Sequence, residues 1–167
     1  MNISSILKHI KLDKIWREII NSIPITYNME EFFIIKYIIK NQEKFSIIDK
    51  YPYIYGYNFP LDPRYPETGK IDLILTDGNN HFLAIKVKFF GKISDDAEEK
   101  KRKRERKELG KQTATFADKF KAAHPDHIVD SLEISDESFE TDYKDFYLDY
   151  KNFVDAEWEK VSEIYKD

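Results

Sequence analysis

Cysteine is absent from these 167 residues, and glycine is scarce, with five in all. Without thiolates there can be no disulfide framework, no cysteine-ligated zinc and no iron–sulfur cluster. The glycines do not gather into a phosphate-cradling loop and no Gly-x-Ser-x-Gly element occurs, which disfavours P-loop nucleotide hydrolysis and ordinary serine hydrolysis. Long apolar runs are missing too. The opening "MNISSILKHIKLDKIW" breaks its apolar positions with charges every few residues, unlike a signal peptide or a membrane span, so the expectation is a soluble intracellular protein, cytoplasmic or nuclear, with no membrane partner. Four histidines, His9, His81, His124 and His127, show no metal-ligand spacing, and the last two read as structural residues of a helix-to-strand turn.

What is present is apolar and aromatic content, 41% and 15%, enough for one domain with a substantial core. The chain reads as a single domain over 1–167, with N-terminal helices in 1–48, a sheet and a long basic helix in 51–134 and an acidic helical segment in 135–167. The net charge of -4 hides a strong polarity. Between Lys86 and Lys111 eleven Lys/Arg face six Asp/Glu, a balance of +5, and from Ser135 to Asp167 four face eleven, a balance of -7.

Apolar spacing from Ile6 to Ile23, stopped by Pro24, predicts a helix or a pair of helices. A second helix of about four turns follows over "EEFFIIKYIIKNQEKF", with Asn28 and Glu31 spaced as a capping box. "YPYIYGYNFPLDPRYPETG", with four of the six prolines, suggests a short aromatic edge strand before a rigid loop. Its rings Tyr51, Tyr53, Tyr55, Tyr57 and Phe59 read as strand packing, with stacking on unpaired bases as the other use. "KIDLILTD" and "HFLAIKVKFF" flank "DGNN", a hairpin signal. A long helix, capped by Ser94 and split or kinked at Gly110, ends at His124 and Pro125; "HIVDSLEI" is a further strand and the acidic remainder a packed helix. The expected class is α/β (α+β), a central mixed sheet flanked by helices.

Alternation puts Phe82, Ala84, Lys86 and Lys88 on one face of the second hairpin strand, and Leu83, Ile85, Val87 and Phe89 on the other, the core face. With the hairpin centred on Asn79, Asp72 stands opposite Lys86, and Lys88 follows on the same face. One reading is a cross-strand ion pair worth about 0.2–1 kcal/mol on a wet surface. The apolar residues on both flanks argue instead for a sheltered site.

Asp72 followed by "AIKVK" resembles the PD-(D/E)XK nuclease superfamily, and "GKQTATF" is similar to the Gln-x-x-x-Tyr element of RecB-type exonuclease domains. The resemblance runs roughly from Glu30 to Ile134. It implies a restriction-endonuclease-like fold and Mg2+- or Mn2+-dependent phosphodiester hydrolysis of DNA, or RNA, with Asp72, Lys88 and Gln112 at the site; Phe116 takes the Tyr place. Lys86 stands where that family puts its second metal-binding acid. At about 4 Å a unit charge pair interacts by roughly 4 kcal/mol near a protein surface, and a divalent ion doubles this, so a cation here opposes metal binding and impairs hydrolysis.

Three accounts of Lys86 are open: a charge-reversed variant of a working nuclease, a natural pseudonuclease kept for binding, or an acid supplied from elsewhere, by Glu31 or Glu67. In the second account Lys86 and Lys88 hold a phosphate in the metal's place. The run Lys100, Lys101, Arg102, Lys103, Arg104, Arg106 and Lys107, with Lys111, is either a solvated helix face or a set of phosphate contacts. It also suits a protein-interaction module, including a homodimer in which this helix meets the acidic tail of a second copy.

Overall fold

In a computed structural model of the chain, residues 2–26, 29–62, 64, 69–92, 94–140, 144–164 and 166 are described. The first helix, α1 (Ile3–Ser22), is one unbroken helix and not a pair, capped by Asn2, whose side chain accepts from the Ser5 N–H at 3.4 Å. Helix α2 (Glu30–Lys40) is about three turns, shorter than its apolar stripe suggests, because the chain turns into short 3-10 segments at Gln42–Lys44 and Ile48–Lys50. The capping role expected of Asn28 lies outside the described residues, and the residue before α2, Met29, gives no side-chain cap.

Four strands form one sheet in the order β1 (Tyr53–Pro60), β2 (Lys70–Thr76), β3 (His81–Lys88) and β4 (Ile128–Ser135). The first three are antiparallel neighbours, and β4 runs parallel to β3. A parallel pair needs a crossover. Here it is α3 (Asp96–Ala123), the long basic helix. A four-residue turn, α4 (Glu137–Glu140), and the acidic helix α5 (Lys144–Ile164) complete the order.

Both faces of the sheet are covered, so β2 and β3 are buried almost continuously and do not alternate in and out. Leu73, Leu75, Leu83, Ile85 and Val87 meet α2 and α5, whereas Ile74, Phe82 and Ala84 meet Phe116 and Phe120 of α3. The expectation of one core face is thereby corrected: Phe82 and Ala84 are core as well. Phe89 lies past the end of β3 and is exposed, not core. Tyr37 of α2 sits among the rings of Phe139, Tyr150 and Phe153, at centroid distances of 5.3–5.6 Å, which is why the acidic segment packs as a helix despite its charge.

Two other local expectations change. The N-cap of α3 is Asp95, which accepts from the Glu98 N–H at 2.8 Å, while Ser94 donates its own N–H and hydroxyl to the Glu98 carboxylate at 2.6 and 2.7 Å. Gly110 neither splits nor ends the helix, because packing on both sides of it carries α3 through. Strand β1 is an edge, as expected of the aromatic segment, and α1 covers it: Asp13 accepts from the Ile54 N–H at 2.8 Å, and the Trp16 indole donates to the Tyr55 carbonyl at 3.0 Å.

Candidate phosphodiester site

The β2–β3 ladder runs from Thr76 and Phe82 down to Leu73 and Ile85 and stops there. One step on, Asp72 and Lys86 face each other, Lys86 Nζ lying 3.4 Å from Asp72 Oδ1, so the hairpin register read from the turn is the one adopted. In place of the missing ladder bond, the Val87 N–H donates to Asp72 Oδ2 at 2.6 Å. Lys86 also donates to the Lys70 carbonyl at 3.0 Å. Burial raises the Asp72 carboxyl above the usual aspartate range, more than the Val87 N–H and the Lys86 ammonium lower it.

Glu31, in the first turn of α2, reaches the end of β3. It accepts from the Phe89 N–H at 3.4 Å and lies 3.6 Å from Lys88 Nζ. Its charge adds a small repulsion at Asp72, in the same direction as burial. Glu31, Lys86, Lys88, Glu108 and Gln112 line one cleft of about 330 Å3. Three elements line it, α2, β3 and α3, and Asp72 of β2 reaches it through its contact with Lys86.

The expected residues Asp72, Lys86, Lys88, Gln112 and Glu31 are thus brought together. Glu67 lies outside the described residues. Phe116 does not line this cleft and is part of the core between α3 and the sheet. Within the basic run, Arg102 is a correction: it is buried, giving one N–H to Glu137 at 2.8 Å and others to the Phe90 and Gly91 carbonyls at 2.9 Å. Arg106 grips the same Glu137 with two bonds of 2.8 Å and holds that carboxyl below its usual range. Both guanidiniums hold the start of α4 through Glu137, Arg102 also bonding the β3–α3 loop and Arg106 lying 5.7 Å from the Phe90 ring, so neither is free for a phosphate. Lys100, Lys101, Lys103, Arg104 and Lys107 are exposed, and Lys111 borders a cleft next to the site.

Glu108, which borders the site, was missed. Its signal was available: it precedes Gln112 by four residues on a helix, and so shares its face.

A divalent ion needs several oxygen ligands free of competing donors. Among the described residues no three acids or histidines gather as ligands, and Asp72 and Glu31 each already hold a lysine and a backbone N–H. As arranged, this donor set does not fit such an ion. Beside these acids stand two ammoniums, each paired with one of them, and the Gln112 carboxamide, so an anion binds here only by displacing a carboxylate from its lysine.

Comparison of the chain with protein-family models, with curated proteins and with solved structures finds no match. Among the described residues no helix is long and apolar enough to cross a membrane.

Proposed function

We propose that the chain is a nucleic-acid phosphodiester-binding domain on a PD-(D/E)XK, restriction-endonuclease-like frame, a metal-dependent nuclease by descent whose hydrolysis is impaired by Lys86. The observation that carries this reading is the Asp72–Lys86 pair at the point where β2 and β3 part, with Lys88, Glu31 and Gln112 around the same cleft. The element order also supports it, with two helices, three antiparallel strands, a long helix and a parallel fourth strand. In that family Mg2+ or Mn2+ on the acids activates water; here a phosphate takes the places of Asp72 and Glu31 on Lys86 and Lys88, and Gln112 offers it an N–H.

The test is to incubate labelled single- and double-stranded DNA, and RNA, with this chain and with its Lys86→Glu variant, in Mg2+, in Mn2+ and in EDTA. The chain should retain nucleic acid in EDTA without cutting it, and the variant should cut in either metal. Equal cutting by both would overturn the assignment of Lys86 as the impediment. Failure of both to retain nucleic acid would overturn the whole reading.

A further inference from the structure

The cleft at Lys86 opens into a second one of about 620 Å3, and the two share Lys86, Glu108 and Gln112. Their charges differ. In the first, Lys86 and Lys88 face Glu31, Glu105 and Glu108, a balance of -1; in the second, Lys70, Lys86, Lys111 and Lys119 face Glu108 alone, a balance of +3. Among the described residues, Lys70, Lys111 and Lys119 form no ion pair, so three uncompensated ammoniums and a partly compensated fourth share one concavity. Such an arrangement gives the concavity a positive field that draws an anion.

Local structure explains the grouping. Lys111, Thr115 and Lys119 recur every four residues, which puts them on one side of α3 over about 12 Å. Lys70 opens β2 directly across from them, and its carbonyl anchors Lys86. Upstream, Lys100, Arg104 and Lys107 continue the stripe that enters the cleft at Lys111, at the same helical spacing. An elongated anion fits this track better than a single phosphate, and a nucleic-acid strand carries one charge per roughly 3.4 Å of axis. Leu61, Phe116 and the Thr115 hydroxyl complete the lining with apolar surface and a neutral donor.

From this we infer that a nucleic-acid strand lies along the C-terminal half of α3 with successive phosphates on Lys70, Lys111 and Lys119, and that the stretch "KKRKRERK" is only its outer approach. The inference rests on the reading that the cleft at Asp72 takes a phosphodiester, and it adds where the rest of the strand runs.

The test is fluorescence anisotropy of a labelled single strand of roughly 12 nucleotides in EDTA over a series of salt concentrations. The full chain is compared with three variants: Lys70→Ala/Lys119→Ala in the groove, Lys100→Ala/Lys107→Ala on the outer stripe, and Lys88→Ala at the site. The groove pair should lower affinity about tenfold and flatten the slope of log affinity against log salt by roughly 1.4, with restoration by Lys70→Arg/Lys119→Arg. The outer pair should cost less than the groove pair at every salt concentration. Because the groove lysines are exposed, urea midpoints should match the parent's.

A groove pair that binds within about twofold of the parent, or an outer pair that costs as much, would overturn the track. If the groove pair is silent while Lys88→Ala weakens binding, the track falls and the phosphodiester site stands. A parent chain that does not retain the strand removes both.

Discussion

Asp72 Oδ2 stands 2.6 Å from the Val87 nitrogen, one residue beyond the last rung of the β2–β3 ladder. A side-chain carboxylate there replaces a main-chain carbonyl as acceptor. The replacement lets the strands separate without orphaning a buried N–H, and the separation makes room for Lys86 at the rim of the cleft.

The first prediction concerns that bond. Asp72→Ala leaves the Val87 N–H unpaired in a buried place and should cost about 1–3 kcal/mol by urea unfolding, whereas Asp72→Asn keeps an acceptor and should cost less. The Asp72 carboxyl is raised by burial, so the folded protein holds its proton above the pH at which the unfolded chain has lost it. The parent's stability should therefore fall with rising pH, relative to Asp72→Asn, from about pH 4 upward. A flat difference between the two across that range would contradict the burial argument.

Metal should matter only after the charge at position 86 is changed. In Lys86→Glu two acids face each other across the hairpin, a repulsion that Mg2+ or Mn2+ relieves by binding the folded state. The variant's melting temperature should rise with added metal and drop with EDTA, while the parent's stays constant. A parent that responds as strongly would show that Glu31 and Asp72 bind the ion unaided.

Arg102 should behave as a structural residue. Its removal by Arg102→Ala frees the Phe90 and Gly91 carbonyls and takes one cation from Glu137, for an expected loss of about 3 kcal/mol. Exposed Lys103→Ala should change stability by less than about 0.5 kcal/mol. Paired thermal and urea unfolding of the two variants decides this.

Acid should loosen the end of the sheet where the histidines meet. Burial lowers both His9 and His127, and their Nδ1 atoms are buried without hydrogen-bond partners, while His127 stacks on Phe82 at 4.5 Å and on His124 at 4.9 Å. Around them stand Lys8, Asp77, His124 and Asp126 as the charged or titratable neighbours. A histidine whose folded pKa is depressed contributes stability that is complete above its ordinary value and is lost as pH falls below it. Unfolding free energy should thus decrease from pH 7 to about pH 5, and His9→Gln/His127→Gln should remove part of that decrease. An unchanged pH profile in the double variant would refute this.

Much of this architecture could be read directly from the chain. The turn at "DGNN" sets a register in which Asp72 meets Lys86, because the position of a tight turn fixes which residues of its two strands stand opposite each other. Helical spacing likewise marked α1, α2 and the acidic α5, since burying one stripe requires that spacing, whereas the long basic α3 was marked by its capping signals and its Pro stop.

Tertiary structure decided the rest, because it depends on what lies across from each residue. Arg102 and Lys103 are adjacent and alike in sequence, yet one is clamped by Glu137 and two carbonyls and the other faces solvent. Glu31 reaches Lys88 only because α2 begins where β3 ends. Lys70, far in the chain from Lys111 and Lys119, shares a groove with them only because α3 returns across the sheet to place β4 beside β3. Short-range periodicity determines which face a side chain occupies; the charges that oppose it there are set by the packing of elements distant in sequence.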